Sequence, residues 1–104
     1  MIDYRPAVAT DAPVIARVLR ASMRAAMPWL PDLHTPVEDL WFVENRLLAD
    51  ATVTVATDGG AGGPGDIVAY MAVSDTGRWI EHLYILPSHW RRGIGSTLLH
   101  RVQD

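Results

Sequence analysis

The stretch LPSHWRRGIGSTLLHR, residues 86–101, decides how this chain is read. A proline ends an apolar run, two arginines follow, and Gly93 and Gly95 open a segment in which Ile94, Leu98, Leu99 and Val102 recur at helical spacing. The first amides of a helix have no intrahelical acceptor and lie at the positive end of its dipole. Glycines placed there leave the backbone bare, so that a phosphate can lie against those amides. The N–H groups of residues 91–96 can converge on a pyrophosphate, and Arg91 and Arg92 add charge that suits its oxygens. The lysine of the G-x-x-x-x-G-K-[ST] loop is missing, which excludes an ATPase P-loop.

A second glycine cluster, GGAGGPG at 59–65, contains the dinucleotide pattern G-x-G-x-x-G over 60–65. That pattern binds a dinucleotide where it links a strand to a helix. Here a strand precedes it and another follows it, and Pro64 removes one N–H, so it reads as a hairpin loop.

Around these clusters the elements follow from periodicity. MIDYR at 1–5 alternates as a short strand, and Pro6 ends it. Thr10 or Asp11 caps an amphipathic helix that places Val14, Ile15, Val18, Leu19 and Met23 on one face. PWLPDLHTP at 28–36 reads as loop, and Thr35 caps a second helix over 36–49 with Pro36 in its first turn. ATVTVAT at 51–57 is a β-branched strand, IVAYMAVS at 67–74 a strand apolar enough to be covered on both faces, and RWIEHLYIL at 78–86 a third after a turn at 75–77. A last helix spans 93–103. The order β-α-α-β-β-β-α predicts one α/β (α+β) domain over residues 1–104, with a mixed sheet.

Composition sets the outer limits. A chain of 104 residues hides only about 60–65% of its unfolded surface, so the core is thin. With 49% apolar and 20% charged residues it is expected to fold. The absence of cysteine excludes disulfides and thiolate zinc sites. No stretch approaches the length of a membrane span or a secretory leader, so a cytoplasmic location is expected, with no membrane partner. A net charge of −3 argues against nucleic acid as a partner. His34, His89 and His100 show no metal-ligand spacing, and no metal is expected.

Taken with the strand before it, the opening stretch resembles the acetyl-CoA signature of the GNAT family of N-acetyltransferases. That pattern runs [Q/R]-x-x-G-x-[G/A] after a strand ending L-x-V-x-P. The matching residues are Trp90-Arg91-Arg92-Gly93-Ile94-Gly95 after Leu83-Tyr84-Ile85-Leu86-Pro87. YRPAVATDAPVIARV looks like the family's opening strand and helix, so the likeness covers essentially the whole chain. Two positions depart from the pattern: Trp90 stands where the family has Gln or Arg, and Ile85 where it has Val.

The resemblance implies acetyl transfer from acetyl-CoA to a primary amine on a small molecule or a peptide. It implies that the pantetheine arm pairs with Leu83, Tyr84 and Ile85, and that the pyrophosphate rests on Arg91, Arg92, Gly93, Ile94, Gly95 and Ser96, with Thr97 helping. Glu81 is the candidate base on the fourth strand and His82 its rival. Trp29, His34 and Trp41 are candidates for the acceptor pocket, set against core packing for Trp41 and a loop lid for Trp29. The family's later strands and helix are not in this sequence, which leaves the fourth strand with an apolar edge. Three readings of that edge are open: part of an enzyme, a sheet completed by a second copy as a homodimer, or a chain without catalysis that binds only an acyl-CoA, as a half-domain, or a protein partner, as a dimerising interaction protein.

Overall fold

The computed structural model describes residues 2–31, 34–59, 66–74 and 79–103. The hairpin reading of 60–65 and the turn reading of 75–77 lie outside them. The elements are β1 (Ile2–Pro6), α1 (Ala12–Ala26), α2 (Pro36–Phe42), a π-helical segment (Val43–Leu47), α3 (Leu48–Asp50), β2 (Ala51–Asp58), β3 (Asp66–Ser74), β4 (Ile80–Ile85) and α4 (Ile94–Gln103). The predicted order is the observed one, with the second helix continuing through the π segment into α3. The sheet runs β1-β2-β3-β4, and all three pairings are antiparallel.

Each helix start has a local cause. Arg5 grips the Asp11 carboxylate with both terminal guanidinium nitrogens at 2.8 and 3.0 Å, and the Val8 amide donates to the same carboxylate at 2.8 Å. This cluster turns the chain from β1 into α1, and the Arg5 hydrogen bonds hold the Asp11 carboxyl below the usual carboxylate range. At α2 the Thr35 hydroxyl accepts from the Glu38 amide at 3.2 Å, and the Glu38 carboxylate accepts from the Thr35 amide at 2.9 Å. Pro36 stands in the first turn, where its missing N–H costs nothing.

The sheet has a core on each face. Ile15, Val18 and Leu19 of α1, with Val43 and Leu47 of the π segment, pack on Val53, Val55, Ile67, Tyr70 and Ala72. On the other face Ile94 and Leu98 of α4 pack on Ala56, Val68, Ala69, Met71 and Val73. From Ile67 to Val73, β3 is buried throughout, as its continuous apolar run predicts. Two sequence expectations differ from the structure. Trp41 is 57% exposed rather than in the core, because Leu40, Val43 and Leu47 form the inward stripe and Trp41 lies about 100° round the helix from Leu40. Met23 sits at the surface, and the inward position goes to Ser22, whose buried hydroxyl has no partner among the described residues.

Among the described residues no strand pairs with the outer edge of β4. The Leu86 amide donates to Val68 O at 2.8 Å, which makes Leu86 and Val68 a hydrogen-bonded pair. Antiparallel pairing alternates, so Tyr84 with Tyr70 is hydrogen-bonded too, while Leu83 with Met71 and Ile85 with Ala69 are not. The N–H and C=O groups of Leu83 and Ile85 therefore face outward. A register shift between Ala72 and Val73 pairs Val73 with Ile80 and Ala72 with His82, leaving Glu81 as the extra residue of a β-bulge.

Candidate active site

After β4 the chain makes a short 3-10 turn at Pro87–His89 and reaches the glycine motif. Arg91 (φ +65°) and Gly93 (φ +77°) both take the left-handed region. α4 then starts at Ile94, and its first amide with a partner is that of Thr97, bonded to Gly93 O at 3.1 Å. Among the described residues, the amides of Arg91 to Ser96 have no acceptor. Unpartnered N–H groups at a helix start, beside two left-handed residues, are the backbone ingredients of an anion-binding nest. The Thr97 hydroxyl turns back to Gly93 O at 3.0 Å.

The two glycines serve this loop differently. A Cβ on Gly93 would meet nothing within 4 Å, so glycine is wanted there for its backbone angle. A Cβ on Gly95 would touch Ile85 Cδ1 at 3.4 Å, an ordinary contact. Internal packing gives no reason for glycine at 95, and a ligand lying against that backbone would. Arg91, Arg92 and Ser96 are exposed, whereas Ile94 is only 2% exposed and anchors α4 to the sheet. Of the predicted cofactor-binding residues, Ile94 can therefore offer only its amide. On β4, Leu83 and Ile85 present backbone to the open edge, while Tyr84 spends its backbone on Tyr70 and packs its ring inward.

The two candidate bases have different surroundings. Glu81 is exposed at the bulge. His82 is half-buried, its ring against Phe42, Tyr70 and Tyr84 at centroid distances of 5.6, 6.0 and 5.4 Å. Its Nδ1 lies 3.1 Å from the Tyr70 hydroxyl. Burial pushes the Tyr70 hydroxyl pKa far up, so that phenol keeps its proton. Nδ1 is its only partner among the described residues, and the buried hydroxyl finds an acceptor there when the ring proton is on Nε2. Nothing in the sequence marks Tyr70 as the partner of His82; the pair arises from strand register.

Burial also lowers the His82 pKa from its ordinary 6.5, an effect partly offset by Glu81. The unfolded chain then binds the proton more readily than the folded one. Stability is expected to fall as pH drops below 6.5 toward the depressed native value. Thermal melting of a His82→Gln variant checks this: the variant is expected to lose the dependence in that window, and an identical pH profile would assign it to another group.

The predicted acceptor residues are not brought together in one wall. A cavity of about 220 Å³ beside the end of α1 is lined by Leu19, Arg20, Met23, Met27, His34 and Asp39 among others. His34 contributes to it, while Trp29 is 73% exposed and does not line it. Arg20 ties this region together, binding Asp39 Oδ2 at 2.7 Å and His34 O at 2.6 Å. Among the described residues no three His, Asp or Glu side chains gather as for a metal ion, and no helix is long and apolar enough to cross a membrane.

The profile of the acetyltransferase (GNAT) family matches residues 16–104. The chain belongs to the GNAT family. Solved structures agree in fold. A possible acetyltransferase from Clostridium difficile 630 matches with a TM-score of 0.75 at 18% identity, over 99% of this chain and 69% of its own. A predicted acetyltransferase from Clostridium acetobutylicum, solved with acetyl-CoA, matches at 0.74 and 18%, over 98% and 71%. The PaiA N-acetyltransferase of Thermoplasma acidophilum, in complex with coenzyme A, matches at 0.71 and 14%, over 99% and 70%. At these identities the likeness is one of fold. No curated protein matches the sequence. Membership in the GNAT family accounts for the strand–glycine–helix junction, and acetyl transfer from acetyl-CoA is the activity it suggests.

Proposed function

We propose that this GNAT protein binds acetyl-CoA across the β4 edge and the Arg91–Ser96 loop, and transfers the acetyl group to a primary amine. The observation that carries the reading is the run of unpartnered amides from Arg91 to Ser96, lying just beyond the outward-facing backbone of Leu83 and Ile85. An arm with two amide groups can add to that edge as a short strand. A diphosphate at its end can then meet the loop amides, with Arg91 and Arg92 beside it.

The reaction joins the amine nitrogen to the thioester carbonyl carbon, breaks the carbon–sulfur bond and releases coenzyme A as its thiol. A lysine-like amine is neutral in only about one molecule in 10³ at pH 7, so a group that removes its proton is needed. Glu81 is the acceptor we favour. Its carboxylate is exposed at a bulge, a feature that re-aims side chains beside active sites. The rival His82 has its Nδ1 engaged by Tyr70. The cavity that includes His34 is the proposed entry for the amine, with exposed Trp29 nearby in sequence.

Free-thiol release from acetyl-CoA with a panel of amines tests the activity. Glu81→Gln is expected to lower kcat/KM by about 10²-fold at neutral pH, in the range of general-base contributions, and by less where the amine is already neutral. A rate that survives Glu81→Gln but falls with His82→Gln would transfer the role to His82. Binding of coenzyme A without turnover of any amine would favour the non-catalytic acyl-CoA-binding alternative.

A further inference from the structure

Trp90 opens the glycine motif, and its indole is not idle. Nε1–H donates to Ile85 O at 2.7 Å, although the residue is 45% exposed. Ile85 O is one of the groups that the register turns toward the open edge of β4. The bond thus runs from the last residue of the strand to the residue directly before Arg91. Arg91 holds a left-handed angle that a side chain-bearing residue rarely adopts, and such a residue persists where its surroundings over-determine it. One residue earlier, His89 Nε2 meets Asp58 Oδ2 of β2 at 2.7 Å.

We propose that Trp90 is a positioning residue of the phosphate-binding loop: its indole N–H staples the loop to the end of β4, and so keeps the Arg91–Ser96 amides facing one point. The proposal rests on the cofactor reading above. The bond has a second consequence at the edge. With Ile85 O already accepting one bond, the Leu83 N–H, the Leu83 C=O and the Ile85 N–H are the groups left wholly open to an incoming arm, which favours the register that uses them. What the position requires is a donor N–H rather than an aromatic ring. Phenylalanine keeps the ring and lacks the donor; glutamine keeps a donor and lacks the ring.

Trp90→Phe and Trp90→Gln separate these. Trp90→Phe is expected to raise KM for acetyl-CoA about tenfold with kcat unchanged, the scale of one hydrogen bond, and Trp90→Gln to restore most of it. A second readout needs no cofactor. The Thr97 amide is bonded to Gly93 O, and its hydrogen exchange should quicken about tenfold in Trp90→Phe but not in Trp90→Gln. Wild-type protein that binds no coenzyme A overturns the cofactor reading, and the exchange comparison still decides whether the indole holds the loop. Unchanged KM and exchange in Trp90→Phe, or a Trp90→Gln variant that behaves like it, overturns the proposal.

Discussion

Gly93→Glu is expected to abolish the thermal stabilisation that acetyl-CoA confers. A ligand at about 100 times its dissociation constant adds about 2.7 kcal/mol to the wild-type protein. In the variant two effects act together at the loop. The backbone holds φ at +77°, where a side chain-bearing residue costs about 1–2 kcal/mol. The new carboxylate also brings negative charge to the place proposed for a diphosphate. Since a Cβ at Gly93 meets nothing within 4 Å, the fold itself has room for the change. Gly93→Ala separates the two effects, because it keeps the strain and adds no charge; it should melt somewhat lower and retain part of the ligand shift. A full ligand shift in Gly93→Glu would move the phosphate site away from this loop.

Leu98→Ala is expected to cost about 2–5 kcal/mol of stability. Leu98 is fully buried, and with Ile94 it packs α4 against the sheet. Elsewhere the helix is tied to β1 by the Arg101 guanidinium, 5.0 Å from the centre of the Tyr4 ring. A domain of this size has roughly 5–15 kcal/mol to lose, so the melting temperature should drop by well over 10 °C. The Ile94, Gly95 and Ser96 amides belong to the first turn of this helix, and those of Arg91 to Gly93 lead into it. Coenzyme A affinity should therefore fall along with stability, although Leu98 touches no ligand in the proposed arrangement. Leu98→Met conserves volume and should cost less than about 1.5 kcal/mol, with affinity kept. A stable Leu98→Ala protein would mean that α4 is held by something other than this contact.

Much of this architecture is legible in the residues alone, because its signals are local. Spacing of apolar residues marks α1 and α4, β-branched alternation marks β2, and Thr35-Pro36 with Glu38 marks the start of α2. The glycine motif is legible for the same reason: it lies at one junction, and its chemistry is that of backbone between neighbouring residues. The face a residue shows within a long helix is less secure. Trp41 and Met23 are apolar and close to the inward stripe, yet both lie at the surface, since one step along a helix turns a side chain through about 100°.

The order of elements, the buried third strand and the strand–glycine–helix junction that marks a GNAT protein are all written in local residue patterns. Tertiary structure alone decided which groups meet across the sheet. The Tyr70 hydroxyl on His82, the bulge at Glu81, the outward-facing backbone of Leu83 and Ile85, and the indole of Trp90 on Ile85 O all depend on register and on the path of a turn. A shift of one residue in pairing exchanges the two faces of a strand, and no local preference records which pairing two distant strands will choose.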